Sequence, residues 1–453
     1  MKKLLCSLFL FLSFCCFSQN GKYRNISFSD YLDSVYFNSN ALRTLLNKKD
    51  ASVIDKKAAA AKFSPSLNFN LLNAFQFGKS IDPSTNTFVD ISLVALRPQL
   101  IGDFPIYSFG KNTSFLKEKK IEVISVEKEI TIELQKLFSI AASEYFSLYL
   151  LEKQKAMLSS FYMISKKLQN HIEIGYRNGK YSKLLFLQII SRCKNDSLLF
   201  LDIESKISLQ RNKMQANFLA TDSFSIMPYL DSALIEVIYD PTKFIAHKYD
   251  FNDSYLDPIS KYFDTRILIA DLRIKQAKSA KLPEFRAVFS ASSIFTGFVQ
   301  QKRIKNWFDD FGLQLGANFN QIAGISLFVP IMNHKSLDYS LRKAIIEKKN
   351  LTENYIFSRN QFIRDYSISL ESCQIAEKYY KELREIARLQ NDIVELAEEG
   401  VLLGKGTFVD FITYDNERRT LLYKTEAAYI DLIYKSLILS NMLNSSENFR
   451  IKK

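Results

Sequence analysis

Two hydrophobic periods alternate along this chain, and the whole series occurs twice. Stretches with an apolar residue at every second position are followed by long stretches with apolar residues three and four positions apart. The first period is typical of a strand with one apolar face, and the second is typical of an amphipathic helix. The pattern predicts strands at about 65–78, 89–104, 284–296 and 311–329, and hairpin helices at about 111–174, 182–218, 336–399 and 407–443.

The strand pattern is clearest at its fourth occurrence. Its apolar members are Phe311, Leu313, Leu315, Ala317 and Phe319, each separated from the next by Gly, Gln or Asn. The helix pattern is clearest in the stripe Ile130, Leu134, Leu137, Ala141, Tyr145, Leu148 and Leu151. Such a stripe suits helices that pack side by side as in a coiled coil.

A short glycine motif interrupts each helical stretch. The first copy is Gly175-Tyr-Arg-Asn-Gly179-Lys-Tyr-Ser182, and the second is Gly400-Val-Leu-Leu-Gly404-Lys-Gly-Thr407. A glycine just past a helix end permits the left-handed conformation there, and Ser or Thr caps the start of the next helix. Each copy therefore predicts the turn of a helical hairpin.

The positions of the helix breakers indicate an internal duplication. No proline lies between Pro105 and Pro228, and none follows Pro330. Because the first glycine of each turn comes 70 residues after Pro105 or Pro330, the two halves have matched lengths. We therefore expect repeat 1 at 20–227, a connection at 228–257 and repeat 2 at 258–453, each repeat opening with a helix (39–62 and 258–280).

Residues 1–19 read as a signal peptide. Lys2 and Lys3 precede an apolar run from Leu4 to Phe17 that is short for a membrane-spanning helix. Cys15 and Cys16 leave a lipid attachment as the alternative. Beyond this leader only Cys193 and Cys373 remain of the five cysteines, and two thiols do not make a disulfide framework.

The strands indicate a membrane barrel that several chains share. Four strands with one apolar and one polar face are typical of a transmembrane β-barrel, yet roughly eight strands are needed to close one. Lipid tolerates no open sheet edge, so other copies would have to supply the missing strands. The helices are charged throughout, and the net charge of +13 is spread among acidic residues, so we expect them to project into water.

The order of these elements, given twice, resembles the TolC family of outer-membrane efflux channels. Four segments carry the resemblance: Gly78-Lys-Ser-Ile-Asp-Pro83, Phe104-Pro-Ile-Tyr-Ser-Phe-Gly110, Gly324-Ile-Ser-Leu-Phe-Val-Pro-Ile331 and Gly404-Lys-Gly-Thr-Phe-Val-Asp410. It implies a mixed α and β membrane protein in which a homotrimer shares a twelve-stranded β-barrel and an α-helical tunnel. One departure is the stretch after Pro330, which lacks the glycine that Gly110 provides in the first repeat.

The resemblance also implies a function, a location and partners. The protein would be the passive exit duct of a tripartite efflux pump or type I secretion system, in the outer membrane of a Gram-negative bacterium with its helices in the periplasm. Its partners would be a periplasmic adaptor (membrane fusion) protein and an inner-membrane pump, with no nucleic acid. The alternative is a periplasmic coiled-coil adaptor or structural protein without a membrane barrel.

Within the family, the residue that matches Asp410 forms an acidic ring at the pore entrance. Thr407 and Asp410 also have the spacing of a helix-capping pair, and the two roles are compatible. Glu398 and Glu399, at a helix C-terminus, are either solvated or in contact with the adaptor. Thr413 stands where the family has a second acid, and Gly406 where it has a basic lock residue.

No catalytic or cofactor site is visible in the sequence. His171, His247 and His334 lack a Cys or carboxylate at metal-ligand spacing, which favours surface or packing roles. The Gly404-Lys-Gly-Thr fragment resembles part of a phosphate loop, but no strand precedes it. We therefore expect a protein that is not an enzyme and needs no metal or cofactor.

Overall fold

The computed structural model describes residues 23–81, 86–90, 93–217, 225–229, 258–298, 307–331, 335–403 and 407–443. The helices are α1 Phe28–Asn38, α2 Asn40–Ala61, α3 Lys111–Arg177, α4 Lys183–Gln215, α5 Pro258–Ser279, α6 Trp307–Ala317, α7 Ser336–Leu402 and α8 Phe408–Leu443. The strands are β1 Tyr23–Ile26, β2 Ser66–Gln76, β3 Lys79–Ile81, β4 Phe88–Asp90, β5 Leu93–Tyr107, β6 Ser225–Pro228, β7 Glu284–Ser292, β8 Phe295–Phe298 and β9 Asn320–Phe328. The predicted leader, residues 230–257, His247 and His334 lie outside the described residues.

The four hairpin helices form where the sequence lacks helix breakers. Helices α3 and α4 flank the first glycine motif, and α7 and α8 flank the second. An uninterrupted run without proline lets every backbone N–H find its carbonyl one turn earlier. None of the described helices combines the length and apolar composition that crossing a bilayer requires.

The described residues divide into two compact units. The sheet unit lies within 46–128 and 261–357, and the hairpin unit lies within 1–45, 129–260 and 358–453. Each unit takes segments from both halves of the duplicated sequence. A compact unit of this chain is therefore not the same thing as a sequence repeat.

The sheet unit contains an antiparallel sheet in the order β2-β5-β7-β9, with β8 also paired to β5. One rung of it joins Phe69 to Leu100, Leu100 to Ala291 and Ala291 to Gln321. Strands from the first repeat therefore pair directly with strands from the second. The predicted strand pairs are adjacent in space, with β5 and β7 at the centre of the sheet.

The strand predicted at 311–329 is wrong over its first part, because residues 307–317 form helix α6. Strand β9 begins only at Asn320. The alternation seen in the sequence did not exclude a helix, since Phe311 and Leu315 are four residues apart and satisfy both periods.

Contacts of one helical face explain why α6 wins. The ring of Phe311 lies 5.1 Å from the ring of Phe295. The side-chain amide oxygen of Gln314 accepts a hydrogen bond of 2.9 Å from the backbone N–H of Thr296. These side chains are three residues apart, so they share a helical face but would lie on opposite faces of a strand. The amide thereby satisfies a backbone group on the free edge of β8.

Strand β5 continues past the proline that was predicted to end it. It reaches Tyr107, and the register against β7 shifts between Pro105 and Tyr107. A proline cannot donate to the ladder, and a bulge at that point removes the need for the donor. The prediction that Pro105 ends the strand was therefore wrong.

The hairpin unit has its core around α1, which the sequence did not predict. Tyr31 is fully buried, and Phe28 packs edge-on against Phe138 with ring centroids 5.4 Å apart. Short strands β1 and β6, also missed, pair in parallel beside it. The sequence did contain one signal: Ser27 and Asp30 form a reciprocal capping box ahead of the apolar run that begins α1.

Replacing Phe138 by Ala should destabilise the hairpin unit by about 3–5 kcal/mol, because a buried ring is lost and a cavity remains. Chemical unfolding followed by circular dichroism in detergent measures this free energy. The matched control is Phe37→Ala in the same unit, where the ring is 70% exposed. Equal losses for the two variants would contradict the assignment of the core.

Candidate functional site

The four-stranded sheet has one apolar face and one mostly polar face. Neighbouring strands are in register, so the alternation along each strand continues across all four. The apolar face carries Leu67, Phe69, Leu71, Leu100, Phe289, Ala291, Ala323, Ile325 and Leu327. The other face carries Ser66, Asn68, Asn70, Gln99, Asp103, Arg286, Ser290, Ser292, Asn320 and Ser326, interrupted by Ile101, Val288 and Ile322.

Charged and amide side chains interact on the polar face. The guanidinium of Arg286 donates to Asp103 and to Glu284, each at 3.3 Å. The side-chain amide of Gln99 donates to the hydroxyl of Ser290, also at 3.3 Å. These groups are partly exposed, so each contact contributes little to stability, and together they make a surface suited to water.

Both outer strands of this sheet are open. Every residue of β9 is exposed, and its Ile325 side chain is 73% exposed. Phe69 on β2, at the opposite edge, is 66% exposed. An exposed edge with apolar side chains offers unpaired backbone groups to another strand. The isolated sheet is therefore an unfinished structure.

The first hairpin turn has the geometry that its glycines predict. Gly179 has φ +73°, in the left-handed region. The N–H of Lys180 donates to the carbonyl of Gly175 at 2.7 Å, and the N–H of Gly179 donates to the carbonyl of Tyr176 at 3.0 Å. This pair of bonds is the Schellman motif that ends a helix. Ser182 then caps α4 by accepting from the N–H of Leu185 at 3.2 Å.

Gly175 has a different reason to be glycine. It lies inside α3, and a Cβ added there would come within 2.3 Å of the Tyr181 ring. Its absence lets that ring lie against the helix backbone as the chain turns. Tyr176 stacks on Phe186 across the same turn, with ring centroids 4.9 Å apart. The two glycines of the motif therefore do separate work.

The second turn is described only at its two sides. Gly400 lies within α7, Gly404 and Gly406 lie outside the described residues, and Thr407 precedes α8. The hydroxyl of Thr407 accepts from the N–H of Asp410 at 3.2 Å and donates to the Asp410 carboxylate. The predicted capping contact is thus present.

The acidic side chains near this turn face water. Asp410 is exposed at the start of α8, and Glu398 and Glu399 are exposed near the end of α7. Thr413, one turn into α8, donates its hydroxyl to the carbonyl of Val409 at 3.0 Å. A single chain leaves Asp410 free to face a neighbour, an adaptor or solvent, so its pore role stays a prediction.

A buried charge cluster lies deeper in the hairpin unit, and the sequence did not reveal it. Asp415 on α8 is 2% exposed and accepts from Arg192 on α4 and from Arg419 on its own helix. Burial by itself would raise the pKa of Asp415, but the arginines, Arg419 first, hold that pKa below its usual value. The only local signal was the spacing of Asp415, Arg418 and Arg419.

The same cluster reaches a third helix. Arg419 also contacts Asp196 on α4 at 3.3 Å, and Asp196 accepts from the Ser165 hydroxyl on α3. The guanidinium of Arg419 lies 4.5 Å from the centre of the Phe161 ring. Three helices from both repeats are therefore joined by one buried polar network.

The remaining candidate residues assemble no reactive centre in the described part of the chain. No group of three His, Cys, Asp or Glu side chains there has metal-binding geometry. Cys193 and Cys373 are buried free thiols, and burial raises the pKa of Cys373. His171 lies 3.4 Å from the Tyr181 hydroxyl at the first turn.

Comparison with known proteins identifies the fold. No model of a known protein family and no curated protein sequence matches the chain. Among solved structures, the transmembrane channel protein CusC is 13% identical with a TM-score of 0.69, over 94% of this chain and 95% of its own. The outer membrane protein VceC of Vibrio cholerae is 14% identical with a TM-score of 0.68, over 92% and 94%. The MtrE outer membrane channel of Neisseria gonorrhoeae, in its open state, is 14% identical with a TM-score of 0.65, over 92% and 88%. The expected TolC-like fold is confirmed.

Replacing Gly175 by Ala should destabilise the first turn, because the new methyl group collides with the Tyr181 ring. The double variant Gly175→Ala with Tyr181→Ala should recover part of that loss. A double-mutant cycle on protease susceptibility at the turn measures the coupling, expected at about 1–2 kcal/mol. Additive effects would show that the ring and the glycine are independent.

Replacing Asp415 by Asn should cost about 3–5 kcal/mol, since it leaves buried arginines without a counter-charge. The lowered pKa sets the sign of the pH dependence. Asp415 stabilises the fold above its unfolded pKa of about 3.9, and that contribution is lost as the pH falls through the folded value. The wild type should therefore approach the variant in unfolding stability only below about pH 4. Asp202→Asn, an exposed surface ion pair with Lys206, is the control and should cost less than about 1 kcal/mol.

Proposed function

We propose that this chain is the outer-membrane exit duct of a tripartite efflux pump or type I secretion system. In this proposal it forms a homotrimer, carries solutes passively from periplasm to exterior and performs no catalytic step. The single observation that carries the proposal is the open four-stranded sheet with one apolar and one polar face.

The physical argument starts from the sheet edges. Strands β2 and β9 expose backbone groups and apolar side chains together, which water disfavours for the side chains and lipid disfavours for the backbone. Pairing β9 of one copy with β2 of the next satisfies both. Three copies give twelve strands, enough to close a barrel with its apolar face in lipid and its polar face around water.

The structural neighbours support this arrangement. CusC is described as forming a transmembrane channel, and MtrE as an outer membrane channel. The predicted signal peptide suits a protein exported to the outer membrane. The alternative of a periplasmic adaptor leaves the apolar face of β2 and β9 without an environment.

The partners follow from the same proposal. A periplasmic adaptor protein would contact the ends of the hairpins, and an inner-membrane pump would supply the solute. Glu398 and Glu399 are exposed near the second turn and are proposed as adaptor contacts. Asp410 is proposed to line the pore entrance, where three copies would bring like charges together.

The assembly is tested on the full-length protein extracted from outer membranes with detergent. Mass measurement should give three chains, and planar bilayers should show conductance. Purified monomers that still insert into bilayers would overturn the shared barrel. Protein recovered from the periplasm without detergent would favour the adaptor function instead.

Replacing Asp410 by Asn should leave folding and assembly unchanged, because Asn keeps the volume and still accepts hydrogen bonds. Its loss of charge should reduce cation selectivity and block by divalent cations in planar bilayers. Thr413→Val, one turn further along α8, is the uncharged control. Unchanged selectivity and unchanged block in the Asn variant would leave Asp410 with a capping role alone.

A further inference from the structure

Helix α7 carries two rows of apolar residues within the hairpin unit, and one row is filled by α8. The inner seam consists of Cys373, Ala376, Leu383, Ala387 and Val394, all buried. Its contacts to α8 include a hydrogen bond of 3.0 Å from the side chain of Gln390 to the carbonyl of Tyr414. The spacing of seven, or of three and four, is that of a coiled coil.

The second row on α7 has no partner in the described part of the chain. The outer seam of α7 consists of Ile375, Tyr379, Ile386, Leu389, Ile393 and Leu396, with the same coiled-coil spacing. Each of these side chains is between 42% and 68% exposed. Scattered surface leucines need no explanation, but a regular exposed row of this length indicates an interface.

Helix α4 carries a matching row. Its inner face, with Ile189, Cys193 and Ile203, is buried. The outer seam of α4 consists of Leu184, Leu187, Leu198, Leu201 and Leu209, each between 51% and 68% exposed. The two outer seams lie on different helices and have different sequences, so they can mate only head to tail.

Contacts through α8 place the two outer seams at the same level. Arg192 on α4 contacts Asp415, and Gln390 on α7 contacts the neighbouring Tyr414. Because α4 runs away from its turn and α7 runs toward its own, positions before Arg192 are level with positions after Gln390. Leu187 is thus level with Leu396, five and six residues away respectively.

The same count matches Leu198 with Ile386, and the neighbouring charges are complementary. Glu385, Asp392 and Glu399 flank the outer seam of α7, whereas Lys183 and Lys194 accompany the outer seam of α4. None of these five side chains forms an ion pair within the described residues. Opposite charges beside two apolar rows favour their association and fix its register.

We propose that the outer seam of α7 docks onto the outer seam of α4 in a second copy of this chain. Rotation about an axis along the helices preserves level, so matched heights in one chain become contacts between copies. Such a head-to-tail interface closes into a ring when the rotation closes. The contact rests on the proposed trimeric duct and gives its helical part a specific interface.

Disulfide trapping tests the contact in the full chain within outer membranes. Leu187→Cys combined with Leu396→Cys should give dimers and trimers on oxidation, resolved on a non-reducing gel. The matched control, Leu187→Cys with Ile375→Cys, sets the thiols about 30 Å apart along the helix direction and should stay monomeric. The buried native thiols remain in every variant.

Charge exchange gives an independent readout. Asp392→Lys should lower the trapped fraction several-fold, and adding Lys194→Asp should restore it. A ladder that forms in the control pair as well, a bond within one chain, or a bond only to an adaptor would each overturn the proposed interface. If trapping fails while the same protein conducts as a trimer in bilayers, the interface is wrong and the duct stands. If the wild type neither assembles nor conducts, the duct itself is wrong.

Discussion

Unpaired backbone at the two edges of one sheet is the constraint on which the rest of this molecule depends. Strands β2 and β9 expose their hydrogen-bonding groups beside apolar side chains such as Phe69 and Ile325. Water solvates the first but not the second, and lipid does the reverse. Only pairing with further strands satisfies both, so the single chain is one part of a larger barrel.

The hairpins solve a different problem, which is how to reverse a long helix within a few residues. Gly179 takes the left-handed conformation that ends α3, and Gly175 leaves room for the Tyr181 ring. Deeper in the bundle, Asp415 joins helices of both repeats through buried arginines. Such a network is costly to break, because each lost partner leaves a charge without solvent.

The two compact units cut across the duplicated halves. Strand β5 from the first repeat pairs with β7 from the second, and Arg192 from the first contacts Asp415 from the second. A repeat of this kind cannot bury its own apolar surface, so duplication supplies the missing neighbour within one chain. The exposed seams on α4 and α7 extend the same logic to neighbours from other copies.

The sequence by itself determined the hairpin helices, their turns and the alternating strands, because breaker positions and periodicity act within a few residues. It could not decide residues 307–317, where Phe311 and Leu315 fit both periods and contacts with β8 selected a helix. Nor could it find α1 as part of a core or Asp415 as a buried partner of Arg192, since their partners lie far away in the chain. Local patterns specify local conformation, whereas packing between distant segments chooses among the conformations that a pattern allows.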